Sequence, residues 1–164
     1  MVLPALQDRP YPLLPPGAHP ATLDEIYEVF VQDAPFRVER ERIWSAVLPW
    51  ATQVSAYFPG AQIFMDGGFV THKDFAAPSD VDFCLGIQPE QYQSLQDWEK
   101  SKVFTIRREG KDPLRPYGGL IDAFAFPRDN EARRAYWEIL WSSIRGSDRR
   151  IMQGSTKGYV EVLL

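Results

Sequence analysis

Met65-Asp-Gly-Gly-Phe-Val-Thr-His-Lys-Asp-Phe-Ala-Ala-Pro-Ser-Asp-Val-Asp-Phe83 joins two apolar runs through a glycine pair and a polar segment. Residues 62–66 read as a strand that ends in Gly67-Gly68. Eleven residues separate Gly68 from Asp80, where Asp-Val-Asp opens a second strand-like run that reaches Ile87. Successive side chains of a strand point to opposite faces, so Asp80 and Asp82 share one face while Val81 and Phe83 enter a core. Two neighbouring carboxylates repel and lose hydration unless a cation lies between them. Hard oxygen ligands at this spacing suit Mg²⁺ or Mn²⁺, which in turn hold phosphates.

A third acid stands in Gly119-Leu-Ile-Asp-Ala-Phe-Ala-Phe-Pro127, an otherwise apolar run whose single charge is Asp122. Buried acids are uncommon unless paired or bound to metal. Working outward, Thr22-Leu-Asp-Glu25 is a capping box that opens a helix over residues 23–32. A second helical pattern covers about residues 36–57, with Val38, Ile43, Val47, Trp50 and Val54 as its apolar stripe. Pro49 is expected to kink or split it. Pro89 to about Lys102 predicts one helix, 103–107 a short strand, and 109–118 a mobile loop. Asn130 caps a helix to about Ile144, 146–156 reads as a polar loop, and 158–163 as a closing strand. Residues 1–21 carry six prolines and predict an irregular arm. The expectation is one domain over 1–164 of α/β (α+β) class, a mixed central sheet of four or five strands with flanking helices.

The glycine pair after a strand, the Asp-x-Asp about a dozen residues on and the third Asp in a later strand resemble the DNA polymerase beta-type nucleotidyltransferase superfamily. Leu14-Pro-Pro-Gly-Ala-His-Pro-Ala-Thr-Leu-Asp-Glu25 and Lys157-Gly-Tyr-Val-Glu-Val162 are similar to the two ends of small prokaryotic nucleotidyltransferase-like proteins carried as a domain of unknown function. The resemblance implies the minimal nucleotidyltransferase fold and a Mg²⁺-dependent (or Mn²⁺-dependent) transfer of a nucleoside monophosphate from a triphosphate. Asp80, Asp82 and Asp122 would be its catalytic residues and metal ligands. Gly67 and Gly68 would let the backbone approach a triphosphate, with the amides of a following helix turned toward it; the plain alternative is a tight turn. The commoner form of the motif has serine after the first glycine, and Thr71 or Ser79 could compensate. Lys73, Lys157 or Arg115 could reach a β- or γ-phosphate. Asp66 is either a fourth acid near the site or a solvent-facing turn residue.

The acceptor would be an RNA 3′ end, a protein hydroxyl or a small molecule, recruited through a homodimer, a partner such as an antitoxin, or the basic half of the chain. More distant relatives include toxins of toxin–antitoxin and phage-defence systems, by analogy only. The alternative is a nucleotidyltransferase fold kept as a binding or regulatory module.

Composition narrows the class. Residues 1–99 hold five Lys/Arg against fourteen Asp/Glu, a balance of −9, whereas 100–164 hold thirteen against eight, a balance of +5. The basic part could face polyphosphate or nucleic acid; equally, Arg133, Arg134, Arg149 and Arg150 could merely solvate a helix face and a loop. The single cysteine, Cys84, reads as a buried structural thiol. His19 is expected to fix the arm, His72 has no assigned role, and the pair lacks zinc spacing. Five tryptophans, Trp44, Trp50, Trp98, Trp137 and Trp141, read mostly as core. No apolar run reaches the ~18 residues of a membrane helix, and the start lacks the pattern of a secretory signal. A cytoplasmic protein without a membrane partner is the expectation.

Overall fold

Gln62–Asp66 (β2) and Val81–Ile87 (β3) pair antiparallel in the middle of a five-stranded sheet. The structure is a computed structural model that describes residues 3–146, 148 and 150–164. Arg149, one of the basic residues above, lies outside the described residues. Ile121–Pro127 (β6) lies parallel to β3 and forms one edge. Gly158–Leu163 (β9) lies antiparallel to β2 on the other side, and Gly17–Thr22 (β1) adds to it in parallel as the far edge. The sheet is therefore mixed and the fold is α+β, as the sequence predicts.

Each face of the sheet carries its own helix layer. Val81, Phe83 and Leu85 turn to Arg37–Tyr57 (α2), whose Trp50 stacks on Phe83 at 4.0 Å between ring centres. The Trp50 indole N–H donates to the Val103 carbonyl at 2.9 Å, so its one polar atom is satisfied inside the core. Phe64, Cys84 and Phe126 turn the other way, to Glu131–Trp141 (α5), where Trp141 stacks on Phe64 and Trp137 on Phe124. Cys84 is buried in this smaller core. Trp98, by contrast, is 58% exposed and lies under the Lys102 ammonium instead of in a core.

Several elements depart from the sequence reading. The capping box at Thr22 and Glu25 is formed, but the helix it opens, Leu23–Tyr27 (α1), passes into a π-helical segment, Glu28–Gln32. Pro49 does not split α2, which runs unbroken from Arg37 to Tyr57. The proline sits on the exposed side, where water can take the carbonyl it leaves without a donor, and Val47 and Trp50 pin the helix on either side. Val38, expected in the stripe, is 80% exposed. The helix expected over 89–102 is two, Pro89–Ser94 (α3) and Asp97–Val103 (α4), because Gln96 forms a second capping box with Glu99. The short strand expected over 103–107 is displaced to Ile106–Arg108 (β4). With Lys111–Leu114 (β5) it forms a hairpin where a loop was expected. Ser143–Arg145 (β7) and Ile151–Thr156 (β8) pair across the segment read as a polar loop. The end of the proline-rich arm is β1, an edge strand, which is where Pro20 can be accommodated. Among the described residues no helix is long and apolar enough to cross a membrane.

Arg40 of α2 is fully buried and, among the described residues, forms no ion pair with a carboxylate. Its guanidinium donates to the carbonyls of Phe30, Pro35, Phe69 and Thr71 at 2.5–2.8 Å. Arg40→Met keeps the stem and strands these acceptors. It should lower stability by at least about 3 kcal/mol, read as a lower urea midpoint at unchanged slope, and Arg40→Lys should fall between.

Candidate functional site

The strand register places three acids in one row. Asp66 of β2 is the partner of Asp82 in β3, and Asp82 is the partner of Asp122 in β6. Partners across a sheet share a face, so all three project on the α5 side, at one end of the sheet. Asp80 lies just before β3, not within it. Gly67 is fixed by this row: its φ is +82°, and a Cβ there would lie 1.7 Å from Asp82 Oδ2. A Cβ on Gly68 would meet nothing within 4 Å, so the backbone there is open to approach. No helix follows the glycine pair, contrary to expectation. Phe69 and Val70 instead dive into the core, and Thr71 bridges to Leu13 of the arm.

Two of the three row members form ion pairs; the middle one, Asp82, feels Lys157 only at a distance. Lys157, immediately before β9, forms a buried ion pair with Asp66. Burial pushes the Asp66 carboxyl up, against the pull of the Lys157 ammonium. Asp66 is thus a fourth acid of the site and not a solvent-facing turn residue. Asp122 accepts the Thr105 hydroxyl at 2.6 Å and pairs with the Arg115 guanidinium at 3.3 Å, which also reaches Asp80 at 3.1 Å. Among the described residues Asp82 pairs with no cation. Burial, and then the charges of Asp80, Asp66 and Asp122, push its carboxyl up to about 7.

The other expected contacts divide. Lys73 sits with its ammonium 5.1 Å from the Tyr11 ring, close enough to feel Asp66, Asp82, Lys157 and Arg145. Burial, Lys157 and Arg145 all draw its ammonium down, which marks these three cations as one group beside the acids. Thr71 is buried, and its hydroxyl donates to the Gly68 carbonyl at 2.8 Å, so it shapes the turn and does not face the open side. Ser79 is exposed and donates to Asp80. His72 is committed to the Val29 carbonyl and the Phe30 ring, and His19 holds the arm through the Pro15 carbonyl, as expected. Three contributors had no visible signal in the sequence. Thr105 and Arg145 are unremarkable by type and position, and Tyr11, which donates to the Arg145 carbonyl at 3.0 Å, comes from the proline-rich arm.

The donor set is chemically suited to a hard cation: four carboxylates gather at one rim, and among the described residues the central one has no ion-pair partner. As the side chains stand, no three His, Cys, Asp or Glu among the described residues are grouped to hold a metal. The Arg115 guanidinium occupies the space between Asp80 and Asp122.

An α+β domain with an acid row beside a glycine turn is thus the class that fold and site define. The chain belongs to the Family of unknown function (DUF6932), whose model matches residues 6–163. No curated protein and no solved structure matches it.

The charge on Asp82 has a measurable consequence. Its folded-state carboxyl holds a proton up to about pH 7, whereas an unfolded one releases it near pH 4. The folded state binds more protons between those values, so stability is lost as pH rises through that window. Asp82→Asn removes the penalty. It should raise stability by on the order of 2–4 kcal/mol at pH 8, and by nothing at pH 4, in thermal melts of the metal-free protein.

Proposed function

We propose that this protein is a divalent-cation-dependent nucleotidyltransferase, using Mg²⁺ or Mn²⁺ to transfer a nucleoside monophosphate from a triphosphate to a hydroxyl acceptor. The observation that carries the reading is Asp82. It is a half-buried carboxylate against the Gly67-Gly68 turn, with acids on either side and, among the described residues, no ion pair of its own. A structural role alone would leave such a charge neutralised, and uncompensated acids in a cleft are the usual mark of a binding or catalytic centre.

Asp80, Asp82 and Asp122 would hold the cation; Asp66, already committed to Lys157, would not. When bound, the cation supplies positive charge to the reacting phosphate and makes the acceptor hydroxyl more acidic. Lys73 and Arg145 stand beside the acids and offer charge to the phosphates that leave. Arg115, once released from Asp80 and Asp122, has the planar fork that matches paired phosphate oxygens. The acceptor oxygen bonds to the α-phosphorus as the bond from that phosphorus to the α–β bridging oxygen breaks. The electron pair departs with pyrophosphate, and the hydroxyl proton passes to a carboxylate oxygen of Asp122.

A second reading has its own observation. Arg115 already satisfies Asp80 and Asp122, and the Thr71 hydroxyl is committed to the Gly68 carbonyl. A protein locked this way would be a binding or regulatory module.

Calorimetry with a non-hydrolysable ATP analogue separates the two. Binding should need Mg²⁺, vanish with EDTA, and weaken at least tenfold in Asp82→Asn. Equal affinity with and without the metal would end the transferase reading. Arg115→Ala bears on the lock directly. By removing a cation that competes for the same carboxylates, it should tighten Mn²⁺ binding several-fold in a paramagnetic-resonance titration. No Mn²⁺ binding by either protein would favour the regulatory module.

A further inference from the structure

β6 is an edge strand whose outer side is only partly used. The Ala123 carbonyl accepts from the Thr105 amide at 2.8 Å, and the Ala123 amide donates to the Thr105 hydroxyl at 3.1 Å. Both backbone groups of Ala123 therefore point away from β3. In a parallel ladder this direction repeats every second residue, so the N–H and C=O of Ala125 also point outward, and Thr105 does not reach them. Ala125 itself is exposed.

Beside this open edge runs a groove of about 310 Å³ between β6 and α3, with Tyr92, Phe104, Phe124 and Phe126 among its walls and Gln93 and Thr105 as its polar side chains. None of the residues lining it is charged. The Thr105 hydroxyl closes its near end and touches Asp122 Oδ1 at 2.6 Å, so the groove runs up to the acid row.

We infer that this groove docks an extended, uncharged peptide segment of a protein substrate, which adds to the edge of β6 and leads a side-chain hydroxyl toward Asp122. The open backbone pair at Ala125 is what a strand needs to add to a sheet: an acceptor for its N–H and a donor for its C=O. The apolar walls take the side chain that such a strand turns inward. A nucleic-acid acceptor is disfavoured because its phosphates need Lys or Arg at the contact, and the lining offers neither. The acceptor role rests on the nucleotidyltransferase reading; the docking itself does not.

The test uses five fluorescein-labelled, end-blocked heptapeptides of alternating Val and Ser, with Ala, Val, Leu, Phe or Tyr at the centre. Anisotropy is measured on the full chain without nucleotide or metal. At least one should bind, with Leu, Phe or Tyr ahead of Ala. Methylating the amide that pairs with Ala125 should cost at least tenfold, and methylating its neighbour little.

Ala125→Pro deletes the outward N–H without touching the β3 ladder, a substitution an edge strand tolerates. Gln93→Trp fills the groove from α3 with the backbone unchanged. Each should weaken peptide binding at least tenfold while leaving the melting temperature and Mg²⁺-dependent ATP-analogue binding in place.

No binding by any of the five at 1 mM would overturn the inference, as would binding that both variants leave intact. Oligouridine bound by the wild type and lost in both variants would overturn it in favour of RNA. A dimer that Ala125→Pro turns into monomer would overturn it in favour of a second copy. Peptide bound in the groove but never nucleotidylated with ATP and Mg²⁺ would leave the docking standing and remove the transferase reading instead.

Discussion

The Arg40 guanidinium is the point from which the site is held. It is a buried cation in an apolar core, compensated by backbone carbonyl dipoles in place of a carboxylate. Burial pulls it down only to about 10, so it stays charged at neutral pH and keeps all its donors. Two of its acceptors lie on the way into α2: Phe30 within the π-helical segment and Pro35 in the turn that follows it. The other two, Phe69 and Thr71, belong to the segment that leaves the glycine pair. A stretch without regular structure thereby gains fixed backbone positions, and Thr71 passes that constraint to Gly68 through its hydroxyl. The open backbone at Gly68 is thus held in place from inside the protein. Preorganisation of that kind would suit the phosphate contact proposed for this turn, because the ordering cost is met during folding and not during binding.

In front of this support the charges are deliberately unequal. Lys157 lies 91 residues from Asp66, and Arg115 lies 35 from Asp80, so tertiary structure and not local sequence supplies each counter-ion. The Asp66–Lys157 pair is buried. The Arg115 pair is more exposed, with 39% of the arginine side chain open, and it sits after the exposed β4–β5 hairpin. An exposed ion pair contributes little to stability, so releasing Arg115 costs little. A buried pair on one side of Asp82 and an exchangeable one on the other leave a single carboxylate poised between them.

The chain announced part of this and concealed the rest for physical reasons. β2, β3, β6 and β9 were legible because they are central or end strands with short apolar runs and clear turn residues at their limits. The acids Asp82 and Asp122 stood out because a charge inside such a run needs an explanation. β1 was hidden, since its residues look like more of the proline-rich arm and its strand state depends on β9, about 140 residues away. The β4–β5 hairpin was hidden for a similar reason: its residues are exposed and include Pro113, so no burial pattern marks it. Arg40 was invisible because a helix stripe is read from apolar residues, and its arginine occupies the buried face. Asp66 could be read either way, as turn residue or fourth acid. Only the register with Asp82 decides it, and register is a property of the assembled sheet.

That register follows from the mixed topology. β3 and β6 run parallel, so the second residue of each, Asp82 and Asp122, lies at the same end of the sheet. β2 runs against β3, so its last residue, Asp66, comes to that end as well. β9 runs against β2, so its start, and Lys157 just before it, arrive there too. Four ionisable side chains from distant parts of the chain thus meet at one rim as a consequence of strand direction. The same order leaves β6 at the margin, with its outer backbone groups turned away from every other strand. An all-antiparallel meander of the same strands would send Asp122 to the opposite end from Asp82. The acid row and the unpaired edge beside it therefore come from one topological choice, which links the place where charge gathers to the place where a strand can be added.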